Sequence, residues 1–86
     1  MASYNLSFKR SVEKDLRSLR KSVIPRVLNK IEDLKDNPTP RQSVKLTDAE
    51  YTYRLRVGDY RIVYEVDKKG QEIVVLYVRH RSQAYS

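Results

Sequence analysis

The sequence predicts an α+β domain, a helical hairpin packed on a largely antiparallel four-stranded sheet in the order β-α-α-β-β-β. Three observations carry this. Apolar residues from Val12 to Leu34 recur at helical spacing. From Tyr51 onward the apolar period changes to two. Between the first two alternating runs lies Gly58-Asp59, a pair suited to a two-residue turn, because glycine supplies positive φ at the first central position. With 86 residues the chain is expected to form one domain over residues 1–86.

Each element has its own local reason. Tyr4-Asn5-Leu6-Ser7-Phe8 alternates and predicts a short strand with Tyr4, Leu6 and Phe8 on one face. Ser7 or Ser11 is placed to cap a helix with apolar residues Val12, Leu16 and Leu19. Lys9, Arg10, Lys14, Arg17, Arg20 and Lys21 surround that stripe. A second helix is predicted from about Val23, with Pro25 in its first turn, where proline is tolerated. Its stripe is Ile24, Val27, Leu28, Ile31 and Leu34, and Asn37-Pro38-Thr39-Pro40 stops it. Tyr51, Tyr53, Leu55 and Val57 alternate with Thr52, Arg54 and Arg56; after the turn, Tyr60, Ile62, Tyr64 and Val66 alternate with Arg61, Val63 and Glu65. Asp67 to Gln71 forms the next turn, and Ile73 to Arg79 reads as a buried strand.

Composition excludes several classes of function. The absence of cysteine rules out disulfide staples and Cys-based zinc sites. The longest apolar run, Ile73 to Val78, is far short of the ~20 residues of a membrane-spanning helix, so no membrane partner is expected. The first residues lack the apolar stretch of a secretory signal, and the expected location is cytoplasmic. A formal net charge of +7 costs self-repulsion in a small fold and points to a polyanionic partner.

The hairpin concentrates that charge. With Gly58-Asp59 as the loop, Val57 pairs with Tyr60, Arg56 with Arg61, and Leu55 with Ile62. Leu55, Val57, Tyr60, Ile62 and Tyr64 then face the helices, while Arg54, Arg56 and Arg61 share the opposite face. Like charges directly across strands are destabilising, so the Arg56–Arg61 pair is a liability unless an anion binds there. For the last strand, pairing Tyr64 with Val74 sends Val74, Leu76 and Val78 to the core and adds Arg79 and Arg81 to the arginine face. A slip of one residue would reverse this. Arginine forks bind phosphate oxygens and stabilise charge developing at phosphorus. Tyr85 is suited to stack on an unpaired base, and His80 is the one residue of the type whose reference pKa lies near neutrality. No cluster of carboxylates and histidines accompanies the arginines, so no metal or other cofactor is expected. A metal-free route is attack by a ribose 2′-OH on its own phosphate, which needs positioning, electrostatic stabilisation and a proton donor.

At these residues the chain resembles the RelE family, within the RelE/ParE toxin superfamily. The resemblance covers nearly the whole chain. It rests on the strand-helix-helix opening, on YRLR at Tyr53–Arg56, on YRIVYEV at Tyr60–Val66 and on RHRSQAY at Arg79–Tyr85. It implies a RelE-like fold and the toxin of a type II toxin–antitoxin system, which enters the A site of the 70S ribosome and cleaves mRNA there. It also implies a cognate, RelB-like acidic antitoxin. By resemblance, Arg54 and Arg56 contact the mRNA and assist the 2′-OH attack, Arg61 stabilises the leaving group, Arg79 the transition state, and Tyr85 orients a base. The family pattern carries lysines where this chain has Arg54 and Arg56, and arginine does not readily surrender a proton, so neither serves as general base. His80 is the candidate for supplementary acid/base work. Arg81, Lys45, Lys9, Arg10, Lys14 and Arg17 are candidates for gripping RNA, including ribosomal RNA. The alternative within the superfamily is a ParE-like toxin that inhibits DNA gyrase by binding, without cleaving RNA.

Overall fold

A computed structural model describes residues 3–46 and 50–82. There the chain runs β1 (Asn5–Phe8), α1 (Ser11–Arg17), α2 (Ile24–Asp33), β2 (Ser43–Lys45), β3 (Thr52–Val57), β4 (Tyr60–Asp67) and β5 (Glu72–His80). The strands form one sheet in the order β1-β5-β4-β3-β2. β1 lies parallel to β5, and the other neighbours are antiparallel. The sheet therefore has five strands rather than the expected four. The additional one, β2, is three residues long with Val44 half exposed, so it carries no readable periodicity; its pairing with β3 makes it a strand.

The hairpin forms in the expected register, with Val57 opposite Tyr60, Arg56 opposite Arg61 and Leu55 opposite Ile62. Gly58 adopts φ of 58°, the conformation that this tight turn demands and that side chains resist. Leu55, Val57, Ile62 and Tyr64 join Val27 and Ile31 of α2, Leu34 at its C-cap and Val12 of α1 in one apolar core. Leu28, expected in that stripe, is 40% exposed, because the buried arc of a short surface helix is narrower than the full run of apolar residues. Pro25 does occupy the first turn of α2. Neither helix is capped by a side chain: Arg10 and Val23 hold the N-cap positions, so neither Ser7 nor Ser11 serves as a cap.

The last strand departs from expectation in its first half. Arg61 pairs with Arg79 and Ile62 with Val78, but Tyr64 pairs with Val75 rather than Val74, and the ladder shifts between Val63 and Tyr64. Leu76 is the extra residue of a bulge, and a bulge inverts the alternation on either side of it. Ile73, Val75 and Val78 are consequently in the core, while Val74 and Leu76 are only partly buried. The bulge satisfies two demands that a regular strand could not meet together. It buries Ile73 and Val75 beside Val66 and Tyr64, and it still presents Arg79 beside Arg61.

Two polar contacts fix this frame. The Tyr64 hydroxyl donates to the Pro38 carbonyl at 2.7 Å, tying the middle strand to the loop after α2. β1 covers β5 only from Glu72 to Val75, so the next stretch of β5 lacks a strand neighbour on that side. There Asp15 of α1 accepts the Val78 N–H at 3.1 Å through Oδ2. A buried donor left without an acceptor would cost about 1–3 kcal/mol, so this carboxylate does a strand's work at the sheet edge.

Candidate functional site

On the face of the sheet away from the helices, the ladders place Arg56, Arg61 and Arg79 in one row across β3, β4 and β5. The adjoining row on the same face is Arg54, Val63 and Tyr77, extended by Val44 of β2. Neighbouring strands lie about 4.8 Å apart, so the three bases of the first row span only about 10 Å. Arg61 in the centre is 7% exposed, whereas Arg56 and Arg79 on either side are exposed. The Arg79 guanidinium lies 4.1 Å from the centroid of the Tyr77 ring, two residues back on the same face. That cation–π contact orients a long side chain that would otherwise sample many rotamers.

A buried central guanidinium flanked by two accessible ones suits a single phosphate. The outer pair can reach solvent and grip non-bridging oxygens as planar forks, and the central charge acts where water screens it less. The same arrangement stabilises the additional negative charge of a pentacoordinate phosphorus. Among the described residues no group of three or more His, Cys, Asp or Glu side chains gathers to hold a metal ion.

The structure thus brings Arg54, Arg56, Arg61 and Arg79 together, and it separates the other candidates among the described residues from them. His80 pairs with Tyr60, which puts it on the helix side of the sheet, the opposite face from Arg61 and Arg79. Its ring meets Tyr60 edge-on at 5.3 Å, and its Nδ1 accepts the Ser82 N–H at 3.2 Å and lies 2.9 Å from the Ser82 hydroxyl. Alternation along a strand is the reason: residues 79 and 80 cannot share a face. Arg81 lies just past the end of β5, exposed, with its N–H on the Asp59 carbonyl at 2.7 Å and its Nε 4.0 Å from Asp59 Oδ1. Lys45 pairs with Tyr53 and so belongs to the helix-side face. Lys9, Arg10, Lys14 and Arg17 are exposed on α1 and the turn before it, and Arg17 pairs with Glu13 at 2.6 Å. None of these four is carried by the strands that form the arginine row. Tyr85 lies outside the described residues. Tyr77 is a site residue that the reading of Ile73 to Arg79 as a buried strand does not single out. Its signal was the Tyr-x-Arg spacing, which in a strand puts both side chains on one face.

The profile of the family described as ParE toxin of type II toxin-antitoxin system, parDE, matches residues 6–85. The RelE1 protein of Methanocaldococcus jannaschii is 31% identical over 85 residues, covering 95% of this chain and 94% of that protein. Among solved structures, the RelE–RelB complex of Pyrococcus horikoshii OT3 contains a chain with TM-score 0.83 and 32% identity, with 94% of this chain and 98% of that one aligned. The RelBE2 toxin–antitoxin complex of Mycobacterium tuberculosis contains one with TM-score 0.78 and 28% identity, with 95% of each chain aligned.

Proposed function

This chain belongs to the RelE family of type II toxin–antitoxin toxins, and on that premise we propose that it is a ribosome-dependent mRNA endoribonuclease, an mRNA interferase that halts translation. The observation that carries the reading is the row Arg56–Arg61–Arg79 with Arg54 beside it, a like-charge array that has no use in folding and fits a scissile phosphate. The reaction is attack of the ribose 2′-oxygen on its own phosphorus. The P–O2′ bond forms, the P–O5′ bond breaks, the 2′-hydroxyl gives up its proton and the 5′-oxygen takes one. Arg54 and Arg56 hold the strand so that the attacking and leaving oxygens line up. Arg61 and Arg79 stabilise the charge that builds on phosphorus and on the leaving oxygen. Arginine does not exchange its proton near neutral pH, and His80 faces the other way, so proton acceptor and donor come from the ribosome or from water. This division of labour fits a toxin that needs mRNA in the A site of the 70S ribosome and that works in the cytoplasm. The P. horikoshii and M. tuberculosis complexes support a RelB-like antitoxin as the partner that silences it.

The test is a purified translation system programmed with one mRNA. The expected product is truncated mRNA with a 2′,3′-cyclic phosphate end, formed with chelator present. Arg79→Ala is the informative variant, because Arg79 is exposed and its loss leaves the core intact. Losing one transition-state donor should lower the cleavage rate by about 10²–10³. The ParE description of the matching family favours gyrase inhibition as the second reading. Intact mRNA together with failing DNA supercoiling would establish that reading instead.

A further inference from the structure

Basic side chains flank the tip of the β3–β4 hairpin on both faces of the sheet, and the arginine row accounts for only one side. On the helix side a cavity of about 300 Å³ opens between the turn joining α1 to α2 and the hairpin tip. Arg20, Arg26, Tyr60 and His80 line it around Gly58 and Asp59. The Arg26 guanidinium reaches the tip itself: a Cβ built on Gly58 would stand 3.8 Å from Arg26 Nη2. Among the described residues neither Arg20 nor Arg26 forms a salt bridge. The one carboxylate in the lining, Asp59, faces Arg81 at 4.0 Å, which offsets its charge. Two guanidinium forks, a phenol and an imidazole around one small cavity are the donor set of an oxyanion site.

We propose that this cavity is a second phosphate subsite, taking a phosphodiester of RNA next to, or wrapped around the tip from, the one held by the arginine row. The inference rests on the nuclease reading above. The two sites are one residue apart on three strands: Arg56 adjoins Val57, Arg61 adjoins Tyr60, and Arg79 adjoins His80. A strand of RNA crossing the tip therefore meets cations on both sides. The subsite would act by holding the strand's register, and it gives His80 a role in binding on the face where the structure places it.

The experiment is equilibrium binding of the whole protein to a 2′-O-methyl RNA oligonucleotide, which lacks the attacking hydroxyl, across a salt series. The double variant Arg20→Gln, Arg26→Gln alters two exposed residues, and a thermal melt checks that it folds. A charge-matched control, Lys68→Gln with Lys69→Gln, removes two cations in the turn just past the far end of β4. For one lost phosphate contact on a single strand, the slope of log K against log salt should become shallower by about 0.7, irrespective of sequence, with the control nearer to wild type. Unchanged oligonucleotide binding with weaker binding to vacant ribosomes would assign the site to a ribosomal RNA phosphate, the same chemistry from the other source. Equal losses in variant and control, or no loss on either RNA, would overturn the proposal. So would weakened binding of an acidic antitoxin peptide with RNA binding intact. Because the oligonucleotide cannot be cleaved, a nuclease assay that fails while the slope changes would refute the nuclease reading and leave the subsite standing.

Discussion

Replacing Arg56 by glutamine should make this protein more stable and less active. Arg56 faces Arg61 across β3 and β4, and Arg61 faces Arg79 across β4 and β5. Directly opposed Cα atoms are about 4.5–5.5 Å apart and the long side chains can splay their charges further, so the roughly 0.8 kcal/mol in water, or roughly 3 kcal/mol at an effective dielectric of 20, of two unit charges at about 5 Å is an upper bound. Arg56 is exposed, so the water limit and salt screening govern, leaving about 0.3–1 kcal/mol, in the range of cross-strand like-charge pairs. Glutamine removes the charge and keeps most of the stem that packs along the sheet. In a domain of this size a gain of 1 kcal/mol raises Tm by about 4–8 °C. The assay is thermal unfolding followed by circular dichroism at low salt and in 1 M salt, where the Debye length shrinks to about 3 Å and the advantage should vanish. The same variant, given programmed ribosomes, should cleave mRNA more slowly than wild type. A variant no more stable than wild type at low salt, or one whose gain survives 1 M salt, would refute the idea that the row stores repulsion for an anion to relieve.

Other expectations follow from the frame around the row. Burial, partly offset by hydrogen bonding with Ser43, pushes the Tyr64 hydroxyl up from 10.0 to about 12. A folded-state value above the unfolded one means stability is full below about pH 10 and is lost as pH rises through about 12, by roughly 3 kcal/mol in total. Tyr64→Phe should therefore be less stable than wild type near neutrality by about 1 kcal/mol, for the lost bond to Pro38, and should overtake it in the alkaline range. A constant difference between the two in pH-dependent urea unfolding would contradict this. Asp15→Ala removes the acceptor of the Val78 N–H and should cost about 1–3 kcal/mol, with faster hydrogen exchange at that amide; an unchanged exchange rate would show that water replaces the carboxylate.

The hairpin was legible because its determinants are local. A two-residue turn with glycine at its first position sets the pairing of its flanks, and strict alternation then assigns every side chain to a face. Arg56 opposite Arg61 follows from the chain alone. The stripe of Val27, Ile31 and Leu34 follows in the same way, from helical spacing next to a proline stop. Family membership is equally a property of the sequence, since the residues that carry the resemblance are read without knowing where they meet.

What only the tertiary structure decided is what depends on distant partners. Ile73 to Val78 is apolar without interruption, so it has no period from which a face could be read, and its register was set by the core it fills. The bulge at Leu76 is the result, and it keeps Arg79 beside Arg61 while burying Ile73 and Val75. β1 joins β5 in parallel across more than sixty residues of chain, and β2 becomes a strand only by lying against β3. The same alternation that assembled the arginine row turned His80 to the other face. The residues that make the row were written in the chain; the neighbours that complete it, and those it excludes, came from pairing energies between segments far apart in sequence.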